Sequence, residues 1–539
     1  MNLLRRLWIP LTVLLLVVLS LAYLQNSGLV GLLGKKAAPV TVDTPAPAAA
    51  PSTPEAAPAF AWENALIHIE STSKEYNYIQ PWARSERKLY KSGVVVEGHQ
   101  IITTADGLAD QTLIRLKKQG SGLFSLGRVV WIDYQANLAA ITTDEKDFWT
   151  DLQPAQLADP VPITGQVRIL RWNNDQLENR QGEIEQITVD NSALSFVSVP
   201  ALKIDSTIPG AGWGEAITVN NQLIGLASAQ GGDAVTAIPS SFIASILKAR
   251  QANTYTGLGY FDFTWDPAEN PLCLDYLKLP GAARGVIVKE TGLKPGVASL
   301  VKPHDVLLKI DGFDIDAEGN YRDPQYKKLC LENLSSRGKW AGMDCHFTIW
   351  RDGKEQEITY KLPKADYGDT LVPSQSFDQE PEYVLAGGFV FVPLTEAYLR
   401  SWGGDWRQRA PFRLSYYTTG KVTPERPQLV VLSQVLPNPV NIGYEGLRNT
   451  VVDEINGVKI KQLSDIPLAL KLPVNGFNVF KFAPGEQVRQ AVLDAGIMDE
   501  ANQEIMSRYH IPVDHVLRTD VVQNEAAPAA ATASTDAGK

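Results

Sequence analysis

Six histidines could move protons near neutral pH: His68, His99, His304, His346, His510 and His515. Only His68 and His99 fall in the region rich in short strands described below. His99 stands in a turn, and His68 alternates with Ile67 and Ile69, so both are read as surface or structural side chains. The three cysteines, Cys273, Cys330 and Cys345, contain no C-x-x-C pair and do not indicate a zinc site. Cys330 and Cys345 could bridge in an oxidising compartment, which would leave Cys273 over. Asp314, Asp316, Glu318 and Asn320 alternate around Gly319 in the manner of an oxygen-ligand calcium loop. The match fails at its end, where Gln325 replaces the bidentate Glu and Pro324 precedes it. A solvated insertion is the reading that stands, and no metal or cofactor is expected.

The elements that must position such residues are mostly strands. In 539 residues, 44% hydrophobic and 20% charged, composition is that of a globular protein of three to four domains. A net charge of −10 argues against a nucleic-acid partner, because phosphate binding needs a basic face. From Trp62 to Arg250, runs such as Gly93-Val94-Val95-Val96 and Ala216-Ile217-Thr218-Val219 are separated by Glu97-Gly98 and Asn220-Asn221. This spacing predicts an all-β barrel or sandwich closed by one helix near residues 240–250. Two further units share a motif: Asp305-Val306-Leu307-Leu308-Lys309-Ile310-Asp311-Gly312 and Val451-Val452-Asp453-Glu454-Ile455-Asn456-Gly457. In both, an alternating strand runs into a tight Asp-Gly or Asn-Gly turn. Apolar spacing predicts a helical segment over 486–509.

At the N-terminus, Arg5 and Arg6 precede an uncharged apolar run over residues 7–24, just long enough to cross a bilayer. Charge on that side predicts a cytoplasmic N-terminus and an extracytoplasmic bulk. Ser20-Leu21-Ala22 leaves a cleaved signal as the alternative. Residues 37–61, dominated by Ala and Pro, read as a semi-extended tether.

The order of barrel and repeated unit resembles the HtrA/DegP (Deg) family, trypsin-like serine proteases with C-terminal PDZ domains. The resemblance covers about residues 65–512. Residues 92–105 (S-G-V-V-V-E-G-H-Q-I-I-T-T-A), 134–141 (Y-Q-A-N-L-A-A-I), 209–226 (P-G-A-G-W-G-E-A through L-I-G-L) and Ala237-Ile238-Pro239 follow the family's track. Residues 386–394, 430–435, 441–445 and 509–512 resemble the second PDZ of the plant-type branch. The resemblance implies a trypsin-like double β-barrel followed by two PDZ-like α+β domains, and the N-terminal transmembrane helix read from the apolar run completes the chain. Its boundaries are 1–36 (N-terminus and anchor), 37–61 (linker), 62–252 (protease fold), 253–364 (first PDZ), 365–380 (linker), 381–518 (second PDZ-like unit) and 519–539 (tail).

A serine protease needs a nucleophilic hydroxyl, an imidazole to take its proton and a carboxylate to orient the imidazole. At the matching positions this chain has Gly212, Asp106 and Asn137. Trp213 and Glu215 replace a Gly and a Pro in the oxyanion turn. A Trp there is expected to fill the cleft, and Glu215 to place negative charge where an oxyanion would develop. The resemblance also implies that Gly257, Leu258, Gly259, Tyr260 and Phe261 form a carboxylate-binding loop, where backbone N–H groups hold a peptide C-terminus and a strand edge accepts the peptide. The nearest match in the second unit, Ala386-Gly387-Gly388-Phe389, is read as a packing or oligomer contact.

The expectation is therefore a membrane-anchored, extracytoplasmic (periplasmic) pseudoprotease. It would bind polypeptides or protein C-termini as a scaffold or regulator, in a homo- or hetero-oligomer that could include an active relative. Two alternatives stay open: an active endopeptidase with a rearranged site that uses His68 or His99, and a purely structural envelope tether.

Overall fold

The computed structural model describes residues 60–119, 121–191, 194–292 and 299–518. The anchor expected over 7–24, most of the tether and the tail lie outside the described residues. Among the described residues no helix is long and apolar enough to cross a membrane.

Twelve strands form two closed barrels. The first contains β1 (Leu66–Tyr76), β2 (Arg84–Val96), β3 (Gln100–Thr103), β4 (Gln111–Lys117), β5 (Ser125–Asp133) and β6 (Leu138–Thr142), in the order β1-β2-β3-β6-β5-β4. The second contains β7 (Gly165–Asn173), β8 (Gln176–Asn191), β9 (Ser198–Asp205), β10 (Ala216–Val219), β11 (Gln222–Gly231) and β12 (Ala234–Pro239), in the order β10-β11-β12-β9-β8-β7. The strands facing the seam carry continuous apolar runs rather than polar alternation because both of their faces are buried. Ile67, Ile69, Val95, Ile101, Ala139 and Ile141 fill the first barrel. Their alternating neighbours Leu66, Val94, Val96, Ile102, Leu138 and Ala140 instead meet Leu170, Ala216, Leu226 and Ile238 of the second barrel. Side chains of successive strand residues point to opposite faces, so one run serves both cores. Helix α1 (Ser240–Gln251) packs Phe242, Ile243 and Ile246 into the same seam.

The first PDZ-like sheet holds β13 (Phe263–Pro267), β14 (Val286–Thr291) and β15 (Val306–Ile310), then the hairpin Asp344–Arg351 and Lys354–Lys361. In the second, Phe389–Pro393 lies between Tyr383–Ala386 and Val430–Val435, so both of its edges are used. Asp311-Gly312 and Asn456-Gly457 both take positive φ at both residues, the requirement of the tight hairpin turn that the repeat predicts.

Three expectations are corrected. The helical reading over 486–509 holds only for Met498–Tyr509, since Gln490–Asp494 is a strand with Ala491 and Leu493 buried at a period of two. Cys330 and Cys345 are free thiols; Cys330 bonds the Glu332 carboxylate, and Cys345 is sealed in the first PDZ core. The polar stretch 365–380 is no free linker: Ala365 joins the inter-barrel cluster and Leu371 and Val372 the second PDZ core. The long β1–β2 hairpin also reaches that unit, where Trp82 meets Tyr383 edge to face at 5.7 Å and Gln434 Nε2 donates to the Ile79 carbonyl at 2.7 Å. In the acidic insertion, Asp316 accepts the N–H groups of Glu318 and Asn320 and pairs with Lys328 at 3.2 Å. A turn and a lysine occupy this carboxylate.

Candidate functional site

The three positions that the resemblance aligns with a catalytic triad sit on loops at the barrel ends. Asp106 follows β3, Asn137 lies in the turn before β6, and Gly212 lies in the loop before β10. The first two meet: the Asp106 N–H donates to Asn137 Oδ1 at 2.9 Å. Asn137 is 2% exposed and left-handed at φ 51°, a backbone state that Asn adopts more readily than most residues.

Between these loops lies Lys91 of β2, a residue that the motif comparison does not reach. It is 3% exposed. Its Nζ donates to Thr104 Oγ1 at 2.8 Å and to the Asp106 carbonyl. Trp213 lies beside it, with the ammonium 5.7 Å from the indole centroid. Burial holds the Lys91 pKa down to about 8, against the opposing pull of the Asp106 and Glu215 charges. The signal in the sequence was a lysine two residues before the apolar run Gly93-Val94-Val95-Val96, where the strand is already entering the core.

The turn that would carry a nucleophile is closed from within. Glu215 is 2% exposed, and its Oε2 accepts the N–H groups of Gly212 at 2.9 Å and Trp213 at 2.8 Å. The Ala211 N–H goes to Gln230 Oε1 at 2.6 Å. Arg171 stands 3.6 Å from Glu215 Oε1, donates to the Gly210 carbonyl at 3.3 Å and bonds Glu178 at 2.8 Å. Three successive amides that could face a developing oxyanion are thus satisfied by side chains, the last two by the Glu215 carboxyl group. At Gly212 φ is +120°, and a Cβ would stand 2.9 Å from Ala229 Cα. Position 212 carries no side chain, and its backbone leaves no room for one.

His68 is half-buried opposite Ser92 and Lys117 and stacks on Tyr90 at 5.5 Å; burial first, then Lys117, lowers its pKa. His99 is exposed and stacks on Trp149 at 5.0 Å. Among the described residues, neither ring is hydrogen-bonded to a serine or a carboxylate.

In the first PDZ, the expected carboxylate loop is already engaged. The Tyr260 N–H donates to the Pro363 carbonyl at 3.3 Å, the Ala365 N–H to the Leu258 carbonyl at 3.1 Å, and the Asp262 N–H to the Tyr360 hydroxyl at 2.9 Å. Leu258 and Tyr260 are buried in the inter-barrel cluster, while Phe261 stacks on Phe263 at 5.5 Å in the PDZ core. The Tyr260 amide and the Leu258 carbonyl are thus paired with chain 363–365, and the Asp262 amide with Tyr360. β13, immediately after it, pairs only with β14 among the described residues and keeps a free edge. In the second PDZ, the Gly387 N–H donates to Asn502 Oδ1 at 2.7 Å, from the helix Met498–Tyr509, and a Cβ on Gly388 would strike Asn441 Nδ2 at 2.2 Å.

Paired six-stranded barrels followed by PDZ-like sheets define a trypsin-like protease fold carrying a PDZ domain. A family model described as PDZ domain matches residues 372–516. "Putative protease Do-like 11, mitochondrial" of Arabidopsis thaliana is 25% identical over 407 residues, covering 75% of this chain and 67% of that protein. "Putative protease Do-like 13" of the same organism is 24% identical over 459 residues, covering 83% and 88%. "Serine protease DegP homolog" of Plasmodium falciparum is 20% identical over 485 residues, covering 70% and 54%. Among solved structures, "HtrA-type protease AlgW with decapeptide" aligns at 17% identity and a TM-score of 0.43, covering 56% of this chain and 96% of that one. The homologues of this chain are Deg/HtrA-like proteases.

Proposed function

We propose that this chain is a non-cleaving member of the Deg/HtrA-like group that binds polypeptide segments and acts as a scaffold or regulator. The observation that carries the reading is the Glu215 carboxylate on the amides of Gly212 and Trp213. Acyl transfer needs those donors free for the charge that appears only in the transition state. A resident anion stabilises the resting state instead, and Gly212 offers nothing to attack with. Binding falls to the free edge of β13, where an extended segment can add a strand and gain main-chain hydrogen bonds. The apolar run over residues 7–24 behind Arg5 and Arg6 supports a membrane-anchored, extracytoplasmic setting. Association into homo- or hetero-oligomers is part of the same reading.

Two measurements test it. Full-length protein purified in detergent is expected neither to cleave casein nor to react with a fluorophosphonate probe; cleavage that survives repurification and is blocked by that probe would overturn the reading. Fluorescent peptides from a random library are expected to bind saturably. Amidating their C-termini is expected to change the affinity less than about threefold, because the Tyr260 amide is already bonded to Pro363. No saturable binding by any peptide would leave the structural tether as the better account.

A further inference from the structure

The stretch between the two PDZ units lies on the first barrel at a specific place. Phe377 stacks on Tyr134 with ring centroids 4.0 Å apart and planes 17° apart. Tyr367 also meets Phe377 edge to face at 5.5 Å and is itself held by its hydroxyl on the Leu194 carbonyl. Asp378 takes two donors from the barrel: Oδ2 accepts the Tyr134 hydroxyl at 2.6 Å, and Oδ1 accepts the Asp110 N–H at 2.8 Å. Glu380 pairs with Arg84 at 3.3 Å and Lys74 at 3.6 Å.

Tyr134 and Asp110 belong to the turns that carry two of the three altered positions, Asn137 and Asp106. Tyr134 accepts the Asn137 N–H on its carbonyl at 3.3 Å, and Asp110 lies four residues after Asp106. The segment is thus fastened to both halves of the Asp106–Asn137 contact. The fastening is light. Asp378 and Glu380 are exposed, so the two hydrogen bonds of Asp378 and the ion pairs of Glu380 compete with water, and a single aromatic stack holds the rest. Contacts of that size open and close without unfolding the barrel.

We propose that residues 376–380 are a releasable strap. Seated, it holds the turns of Asp106 and Asn137 and restricts polypeptide access to the cleft between the barrels; released, it frees both. An added polypeptide competes with Phe377 for the Tyr134 face and with Asp378 for the Asp110 amide. The strap therefore couples movement between the PDZ units to the state of the barrel, a regulation that does not depend on whether the cleft cleaves.

The test uses the full chain with Phe377→Ala and Asp378→Ala combined, and Phe377→Tyr as the conservative control. Amide hydrogen exchange is followed in segments covering 106–110 and 134–137, with the hairpin Asp344–Arg351 and Lys354–Lys361 as the internal reference. The double variant is expected to exchange at least tenfold faster in both turns and unchanged in the reference, with Phe377→Tyr like the parent. Binding of fluorescent unfolded casein is expected to tighten at least threefold. Unchanged exchange in the two turns, or acceleration shared equally by the reference hairpin, overturns the proposal, as does casein binding that the double variant leaves unchanged. A chain that cleaves casein would overturn the non-cleaving reading and leave the exchange result intact.

Discussion

Glu215 Oε2 lies 2.9 Å from the amide nitrogen of Gly212, so the turn that would stabilise a substrate's negative charge is bonded to the protein's own. The pairing is local, three residues apart, and Arg171 behind it keeps the carboxylate in a buried place that a lone anion would avoid. This contact and the missing side chain at Gly212 reinforce each other.

Restoring the nucleophile alone is expected to fail. Gly212→Ser puts a Cβ 2.9 Å from Ala229 Cα at a backbone φ of +120°, which L side chains rarely adopt. The expected outcome is no casein cleavage, no fluorophosphonate labelling and a lower Tm. Even Asp106→His, Asn137→Asp and Gly212→Ser combined is expected to stay inactive while Glu215 remains, as gel-based labelling would report.

Removing the plug should destabilise without activating. Glu215→Ala leaves the buried Gly212 amide and the part-buried Trp213 amide without an acceptor and Arg171 without one partner. Each buried group left unsatisfied costs about 1–3 kcal/mol. A clear drop in the denaturation midpoint with no new hydrolysis is expected, and the unfolding curve in urea measures it.

Lys91 gives a signature on the alkaline side. Its folded pKa, about 8, lies below the ordinary lysine value because burial disfavours the ammonium. Between about pH 8 and the unfolded value of 10.5 the unfolded chain binds more protons, so stability contributed through Lys91 rises with pH. The parent is therefore expected to gain stability relative to Lys91→Met as pH rises from 7 to 9.5. Parallel Tm–pH curves for the two proteins would contradict this.

Asp110 gives the opposite signature on the acid side. Burial, then the Asp378 carboxylate and more weakly Glu380, raise its pKa to about 6, with Lys74 opposing. The phenols of Tyr76, Tyr78 and Tyr134 also face it, and Arg84 is paired with Glu380. A raised carboxyl pKa means that ionisation opposes the folded state above about pH 6, and that the penalty is relieved as pH falls toward the ordinary carboxylate value. Asp110→Asn is expected to be more stable than the parent at pH 7.5, with the gap closing on acidification to pH 4.5. Paired thermal melts across that range measure it.

Much was legible from local pattern. Period-two apolar runs, Asn-Gly and Asp-Gly turns and the helix near residue 240 give strands, hairpins and α1, because each depends on backbone preferences and burial within a few residues. The altered residues Asp106, Asn137 and Gly212 were also visible, as were Trp213 and Glu215, since a side chain's chemistry needs no fold to be read. Where the reading slipped, pairing with another segment decided. Gln490–Asp494 became a strand because Phe477–Phe482 offered an edge. The polar stretch 365–380 proved to be anchored because Tyr134, 244 residues from Asp378, supplied a ring and a hydroxyl.

The sequence alone determined which triad chemistry the aligned positions lack: the resemblance puts Asp106 where an imidazole is expected, Asn137 where a carboxylate is expected and Gly212 where a hydroxyl is expected. Only the tertiary structure decided what stands in its place. Lys91, Glu215 and Arg171 come from separate strands and loops, and their effect on the Gly212 turn exists only once barrel closure removes water and brings their charges together. The same holds for the carboxylate loop at Tyr260 and for the seat of Phe377, whose partners are set by long-range packing and by the need to satisfy every buried amide.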